Sequence, residues 1–445
     1  MKRGRPLHAI VIGGGAAGFF GAIACARANP RSRVVVLEAT RNVLTKVLIS
    51  GGGRCNVTHA CFEAAQLIQS YPRGSKALRG PFSRFQPRDT VAWFAERGVQ
   101  LKTEADGRMF PTTDDSATVA DCLVRTARKV GVHLRTRAAV ATVTRADARF
   151  HLQLKSGETE TCDRLLLATG SNRTGYAIAR SLGHVMQSPV PSLFTFTIRD
   201  RALTALAGTS AAAVEVTLQA DRTQLKQTGP LLVTHWGVSG PAVLKLSAWG
   251  ARILHDCRYQ ADLRVNWLPH WNGEQVRQEV LGMVAAHPKK SVGSGWLSHD
   301  RRAVANLPRR LWKYLVVKAG LDPASRWNEV SKKQIHRLVT TLTCSQWEIA
   351  GKGAFKEEFV TCGGVDLSEV QMKTLASRIC PGLYFAGEIL DIDGVTGGFN
   401  FQNAWTTGWL AGRAMAEVED ERVLAAPSNA TCSSSPGIRA GKPSD

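Results

Sequence analysis

Gly13-Gly14-Gly15-Ala16-Ala17-Gly18 has the spacing G-x-G-x-x-G, and that spacing has a backbone chemistry of its own. The first glycine permits a tight turn. The second lets main chain approach a pyrophosphate, and the third lets a helix pack closely on a strand. A helix opening at Ala16 turns its unpaired N–H groups and its positive dipole end toward the phosphates. Glu38 follows 20 residues after Gly18. A carboxylate there accepts hydrogen bonds from ribose hydroxyls and repels a 2′-phosphate. These residues suit an adenosine-containing dinucleotide, and they do not choose between NAD and FAD.

The elements that must carry these residues are legible around them. His8–Ile12 reads as a buried strand, Ala16–Ala28 as a helix and Arg33–Leu37 as a second β-branched strand. Together they make a βαβ unit with a parallel sheet. Two distant segments favour FAD. Leu165-Leu166-Leu167-Ala168-Thr169-Gly170 is an apolar strand ending Ala-Thr-Gly, which resembles the second nucleotide-contact segment of two-dinucleotide flavoproteins. Gly382-Leu383-Tyr384-Phe385-Ala386-Gly387-Glu388 is another such strand, followed by Gly397-Gly398-Phe399-Asn400 and a helix. In that superfamily an acid at the Glu388 position reaches the ribityl chain; Glu388 stands where Asp is usual. The next helix points its N-terminus at the pyrimidine edge of the isoalloxazine, where negative charge develops on reduction. A simple NAD dehydrogenase has no need of this closing segment.

Ser50-Gly51-Gly52-Gly53-Arg54-Cys55-Asn56-Val57-Thr58 resembles the SGxGRCNxTN signature of the bacterial BaiN-like flavoprotein family, which includes aminoacetone-oxidase-like and dehydro-bile-acid-reductase-like members. Gly107–Pro111, Pro191–Leu193, Leu232–Pro241 and Gly387–Gly394 look like further blocks of it, so the resemblance runs from about Ala9 to Ala416. His59 stands where the family often has Asn. The resemblance implies an α/β, FAD-binding Rossmann-like domain of the two-dinucleotide superfamily, made of two sequence pieces, with an inserted β-barrel-like and helical domain covering the flavin. The residues expected against the cofactor are Gly13, Gly15, Ala16, Ala17, Gly18, Glu38, Ala39 and Lys46; Gly53, Arg54, Cys55 and Asn56; Val140; Ala168, Thr169 and Gly170; and Gly387, Glu388, Gly397, Gly398, Phe399 and Asn400. Physically, a glycine-rich loop followed by Arg54 can wrap a pyrophosphate with N–H groups and a guanidinium.

A flavin needs little help from side chains to move a hydride, so no catalytic triad is expected. Cys55, His235, Tyr176 and Asp393 are candidate proton handlers. Each has a plainer reading. His235, in an apolar Thr-His-Trp-Gly context, reads as a core histidine. Cys55 lacks a partner at redox spacing. Asp391 and Asp393 can cap the next turn. A second G-x-G-x-x-G for a nicotinamide domain is missing. NAD(P)H would therefore bind transiently over the ring; otherwise the substrate is the reductant and oxygen or another acceptor reoxidises the flavin.

Organisation and charge complete the expectation. The pieces are 1–190, first part of the FAD domain; 191–270, a β-rich insert; 271–355, a helical basic insert; 356–424, the closing part; and 425–445, a tail rich in Ser, Pro, Gly and Ala that reads as disordered. The 445 residues are 44% hydrophobic, enough for a large core. No run of about 18 apolar residues suggests a membrane span, and no secretory signal is evident. The ten cysteines have no Cys-x-x-Cys or zinc spacing, so neither a disulfide framework nor a metal is expected, and the cytoplasm is the default compartment. The net charge is +21, with twelve Lys/Arg against three Asp/Glu between 286 and 340. That excess suits a solvated surface or an anionic partner. Three activities fit: NAD(P)H-linked reduction of a small organic substrate such as an enone, an oxygen-using amine or ketone oxidase, and an RNA-associated flavoprotein. Against the last, the insert shows no recognisable RNA-binding module, and Trp296, Trp312 and Trp327 read as core or cleft-lining residues.

Overall fold

The computed structural model describes residues 5–220, 222–294, 307–353 and 360–417; Trp296 and the 425–445 tail lie outside them. The apolar runs His8–Ile12, Arg33–Leu37 and Arg164–Leu167 form the centre of a seven-stranded sheet. His8–Ile12 lies between the other two, with Val11 opposite both Val36 and Leu166. His133–Arg135 flanks Arg33–Leu37, and Leu383–Phe385 flanks Arg164–Leu167, all parallel. These strands are Val- and Leu-rich without alternation because both faces of this parallel sheet are buried. The strand order reverses between His8–Ile12 and Arg164–Leu167. In open α/β sheets ligands bind outside the carboxyl ends at such a switch point, and here the two ends carry Gly13 and Ala168.

Two helices cross this layer in close contact. The first, Ala16–Ala28, is buried over most of its surface. The closing helix, Phe399–Ala416, packs on it through glycines. A Cβ on Gly412 would lie 2.1 Å from Gly21 O, and one on Gly408 would lie 2.6 Å from Ala17 O. The front and back of the chain therefore share one core, with Trp405 donating to Val57 O at 2.9 Å.

A meander, Val140–Ala146, Arg149–Leu154 and Thr159–Cys162, returns the chain to the sheet. Helix Ser116–Lys129 begins where the Asp115 carboxylate caps it, accepting from Ala117 N at 2.9 Å. The chain leaves through Met186–Ser192 and comes back through Val360–Val365, which pair antiparallel.

Beyond that ribbon lies a closed six-stranded barrel: Phe196–Ile198, Gly237–Ser239, Thr223–Val233, Ser210–Ala220, Ala261–Asn266 and Ser345–Lys352. The last strand falls inside the stretch expected to be helical. Its sequence, Ser-Gln-Trp-Glu-Ile, alternates with a period of two, and Ser345, Trp347 and Ile349 point inward. Helices Gly273–Ala286, Arg309–Lys318 and Lys332–Thr343 are an excursion between the fifth and sixth barrel strands in chain order. They share the barrel's core, so no break in packing follows residue 270. Trp312 and Trp327 are buried there. Among the described residues, no helix is long and apolar enough to cross a membrane.

Candidate functional site

The glycine turn is built from contacts that admit no side chain. Gly13 has φ +111°, and a Cβ on it would lie 2.4 Å from Ala168 O. One on Gly18 would lie 1.9 Å from Gly13 O. Gly15 differs, because a Cβ there would meet no heavy atom within 4 Å. Its main chain faces open space at the start of the first helix, which has no side-chain cap. The first-turn N–H groups of a helix lack intrahelical acceptors, so the site fits a pyrophosphate.

Glu38 stands at the end of its strand beside this turn. Its carboxylate accepts from Gly14 N at 2.8 Å and from Thr40 N at 2.9 Å, which fixes it at the edge of the trough. The 137–140 segment runs alongside, with Ala138 N donating to Glu38 O at 2.8 Å. Ala39 is exposed at this rim, whereas Val140 is buried.

On the other side of the turn, Lys46, Gly170 and Glu388 converge. Lys46 Nζ lies 2.6 Å from Glu388 Oε2, and a Cβ on Gly170 would lie 3.4 Å from that oxygen. Thr361 N donates to Glu388 Oε1 at 2.9 Å. Glu388 therefore has two protein partners at the position expected to meet the ribityl chain. Gly387 sits against the first helix, where a Cβ would lie 2.9 Å from Ala17 Cβ.

The Ser50–Thr58 loop joins the two halves. Gly51, Gly52 and Gly53 all have left-handed φ, at +58°, +69° and +84°, which glycine adopts without steric cost. Asn56, its amide oriented by its partners, donates to Thr58 O and accepts from Gly398 N, each at 3.0 Å. Gly398 presses so close to Thr58 that a Cβ would lie 2.6 Å from its carbonyl. Asn400 holds the preceding turn by bonding both the N–H and the C=O of Gly394, at 2.8 and 2.9 Å. The N-terminus of the closing helix is thereby anchored against the loop. His59 stacks on Phe399 with centroids 4.7 Å apart, and its Nε2 lies 3.1 Å from Asp106 O.

Several expectations need correction. Arg54 lies over the Phe110 ring at 4.1 Å and pairs with Glu104 at 2.7 Å and Asp114 at 3.5 Å. Its charge is already matched by two carboxylates, which leaves little for a pyrophosphate. Cys55 is fully buried, and burial pushes its thiol up to about 12; a protonated, enclosed thiol is no nucleophile. His235 is exposed rather than in the core, because it sits on a tight turn closed by Thr234 N and Gly237 O at 2.8 Å. Asp393 is neither a turn cap nor a free proton handler. It is fully buried and ion-paired with Arg73, and it accepts from Ser192 Oγ at 2.8 Å. Burial lifts its carboxyl, while Arg73 and Ser192 hold it down. Asp391 likewise pairs with Arg252 at 2.8 Å. Tyr176 is buried in helix Arg173–Ser181. Sequence reasoning missed Thr361, whose contribution is a main-chain N–H that no side-chain pattern announces.

The Rossmann-domain model of HI0933-like proteins matches residues 7–414. The chain belongs to that family. The 3-dehydro-bile acid delta(4,6)-reductase of Clostridium scindens is 30% identical over 415 residues, 92% of this chain and 98% of the relative. The ribosomal RNA dihydrouridine synthase of Escherichia coli is 31% identical over 412 residues, 90% and 96% of the two chains. Among solved structures, a 3-ketosteroid-Δ4-(5α)-dehydrogenase from Rhodococcus jostii aligns with a TM-score of 0.48 at 15% identity, over 94% of this chain and 99% of that one. The family member described here is an FAD-dependent oxidoreductase. Its two sequence pieces bring the open Gly15 turn, the Glu38 carboxylate and the closing helix N-terminus at Gly398 into one domain.

Proposed function

We propose that the protein reduces a carbon–carbon double bond conjugated to a carbonyl, with NAD(P)H as a transient hydride donor. The observation that carries this reading is the closing helix N-terminus, docked by Asn56 and Thr58 against the phosphate-binding half. A helix N-terminus there favours the negative charge of a reduced flavin. Two relatives supply the substrate chemistry by their names. Reducing a 3-dehydro-Δ4,6 bile acid and making dihydrouridine both saturate a double bond conjugated to a carbonyl. Bound FAD supplies the hydride chemistry. The chain's own residues orient it: Glu38 and the Gly15 trough hold the adenosine end, and Lys46 with Glu388 flank the middle.

The test is an absorption spectrum of the purified protein, repeated anaerobically with NADH and NADPH. Bleaching by either supports the reading; a yellow protein that neither one bleaches sinks it. Peroxide release with aminoacetone-like compounds would favour the oxidase alternative instead.

A second reading takes RNA as the substrate carrier. It is favoured by the +21 charge and by Lys332, Lys333 and Arg337, which are exposed on helix Lys332–Thr343. Dihydrouridine mapping of ribosomal RNA from a strain lacking the gene separates the two. A missing dihydrouridine, with binding that weakens steeply as salt rises, selects RNA.

A further inference from the structure

Helix Pro241–Trp249 lies between the two cores. Ala242, Val243 and Leu246 belong to the barrel core, whereas Leu244 and Ala248 pack on the flavin-domain core. Arg73 pins the helix to the flavin domain, with Nη1 donating to Ala248 O at 2.6 Å. Arg73 also pairs with Asp393, next to Gly394. A Cβ on Gly394 would lie 2.8 Å from Phe399 Cβ, so this side of the helix leads to the start of the closing helix.

Lys245 follows Leu244 on that side and is half-buried. It has no hydrogen bond or ion pair among the described residues. A half-buried lysine without a partner has given up part of its hydration, a cost ordinarily offset by an opposite charge. On the flavin side His59, stacked on Phe399 and packed near Gly397, lies within reach of the Lys245 charge. Burial lowers the His59 pKa, the Asp106 carbonyl and carboxylate oppose that, and the Lys245 ammonium lowers it further.

We infer that Lys245 is a catalytic residue whose ammonium meets the negative charge that forms on the substrate's carbonyl oxygen. This rests on the reading of the protein as a reductase of conjugated double bonds. A hydride originating from NAD(P)H adds to the carbon β to the carbonyl, and NAD(P)H becomes NAD(P)+. The π pair of the double bond moves through the α-carbon onto the carbonyl oxygen. Lys245 donates a hydrogen bond to that oxygen, and a solvent proton finally adds to the α-carbon as the carbonyl re-forms. The net change is one hydride and one proton across the double bond.

A phenolate carries its charge on an oxygen conjugated to a planar ring, as an enolate does. The probe is 4-hydroxybenzaldehyde, held above its phenol pKa and titrated into the oxidised holoprotein. Binding is followed by the long-wavelength charge-transfer band over the flavin. The wild type is expected to give the band. Lys245→Met is expected to bind about ten- to a hundred-fold more weakly, the range for losing a hydrogen bond to a charged group, with unchanged FAD content. Lys245→Arg keeps the cation and is expected to stay within several-fold of wild type. No band in the yellow wild type, or equal binding by wild type and Lys245→Met, overturns the inference. So does an equal loss in Lys333→Met, which would mark a general charge effect. A colourless protein that takes up no flavin would instead refute the flavoprotein reading beneath it.

Discussion

At the scale of single residues the cradle depends on atoms that are missing. Gly412 and Gly21 allow two helices to touch backbone to backbone. A methyl group at Gly412 must force them apart. Gly412→Ala is expected to cost about 1–3 kcal/mol, as overpacking does, and to lower the FAD:protein ratio on purification; a fully loaded variant with an unchanged urea midpoint would contradict this. Buried thiols give a second prediction. Cys25, Cys55 and Cys162 are each held by burial at about 12, against 9.0 when free. The folded state keeps their protons after the unfolded chain has lost them. Their contribution is therefore full below pH 9 and falls as pH rises from 9 toward 12. Urea midpoints should drop across that window, and less steeply in a Cys25→Ala/Cys162→Ala variant. An identical slope in both proteins would assign the drop to other groups. The glycine spacing and Glu38 were legible because their role is set by backbone geometry. The pairing of Arg54 was not, since Glu104 and Asp114 lie 50 and 60 residues downstream and meet it only through the fold.

At the scale of elements, apolar runs revealed the parallel strands, because burial on both faces leaves no other composition available. The strand Ser345–Lys352 was hidden by its surroundings: it follows a basic helix after one residue and has one solvent-facing side. The junction between flavin domain and barrel was equally hidden. It rests on Arg73, Asp393 and Ser192, drawn from three separate segments. Arg73→Met leaves a carboxylate buried without its counter-charge. Such a loss costs about 3–5 kcal/mol, measurable by urea unfolding. An Arg73→Met/Asp393→Leu double variant, lacking the stranded charge, is expected to recover much of it; no recovery would mean the guanidinium acts through Ala248 O instead.

At the scale of the whole molecule, barrel and helical excursion behave as one unit. Trp267 joins them: its main-chain N–H donates to Leu342 O at 2.9 Å, its indole donates to Ser345 Oγ at 3.0 Å, and its ring meets Trp347 edge-on. Removing 273–343 alone would expose the core shared by barrel and helices. That deletion is expected to yield insoluble or protease-sensitive protein, and a well-folded product would show that the barrel core closes by itself.

The ribbon of Met186–Ser192 and Val360–Val365 has a topological consequence. Ser192 faces Val360 across one antiparallel rung, so the outward and homeward chains cross the boundary as adjacent strands, about 4.5–5.5 Å apart at their Cα atoms. A short hairpin turn spans such a gap. The nucleotide-holding host is therefore continuous in space even though 167 residues (193–359) interrupt it in sequence. Its cap is a cartridge on a two-wire socket, and relatives could exchange that cartridge, and with it their substrates, without redrawing the host beneath.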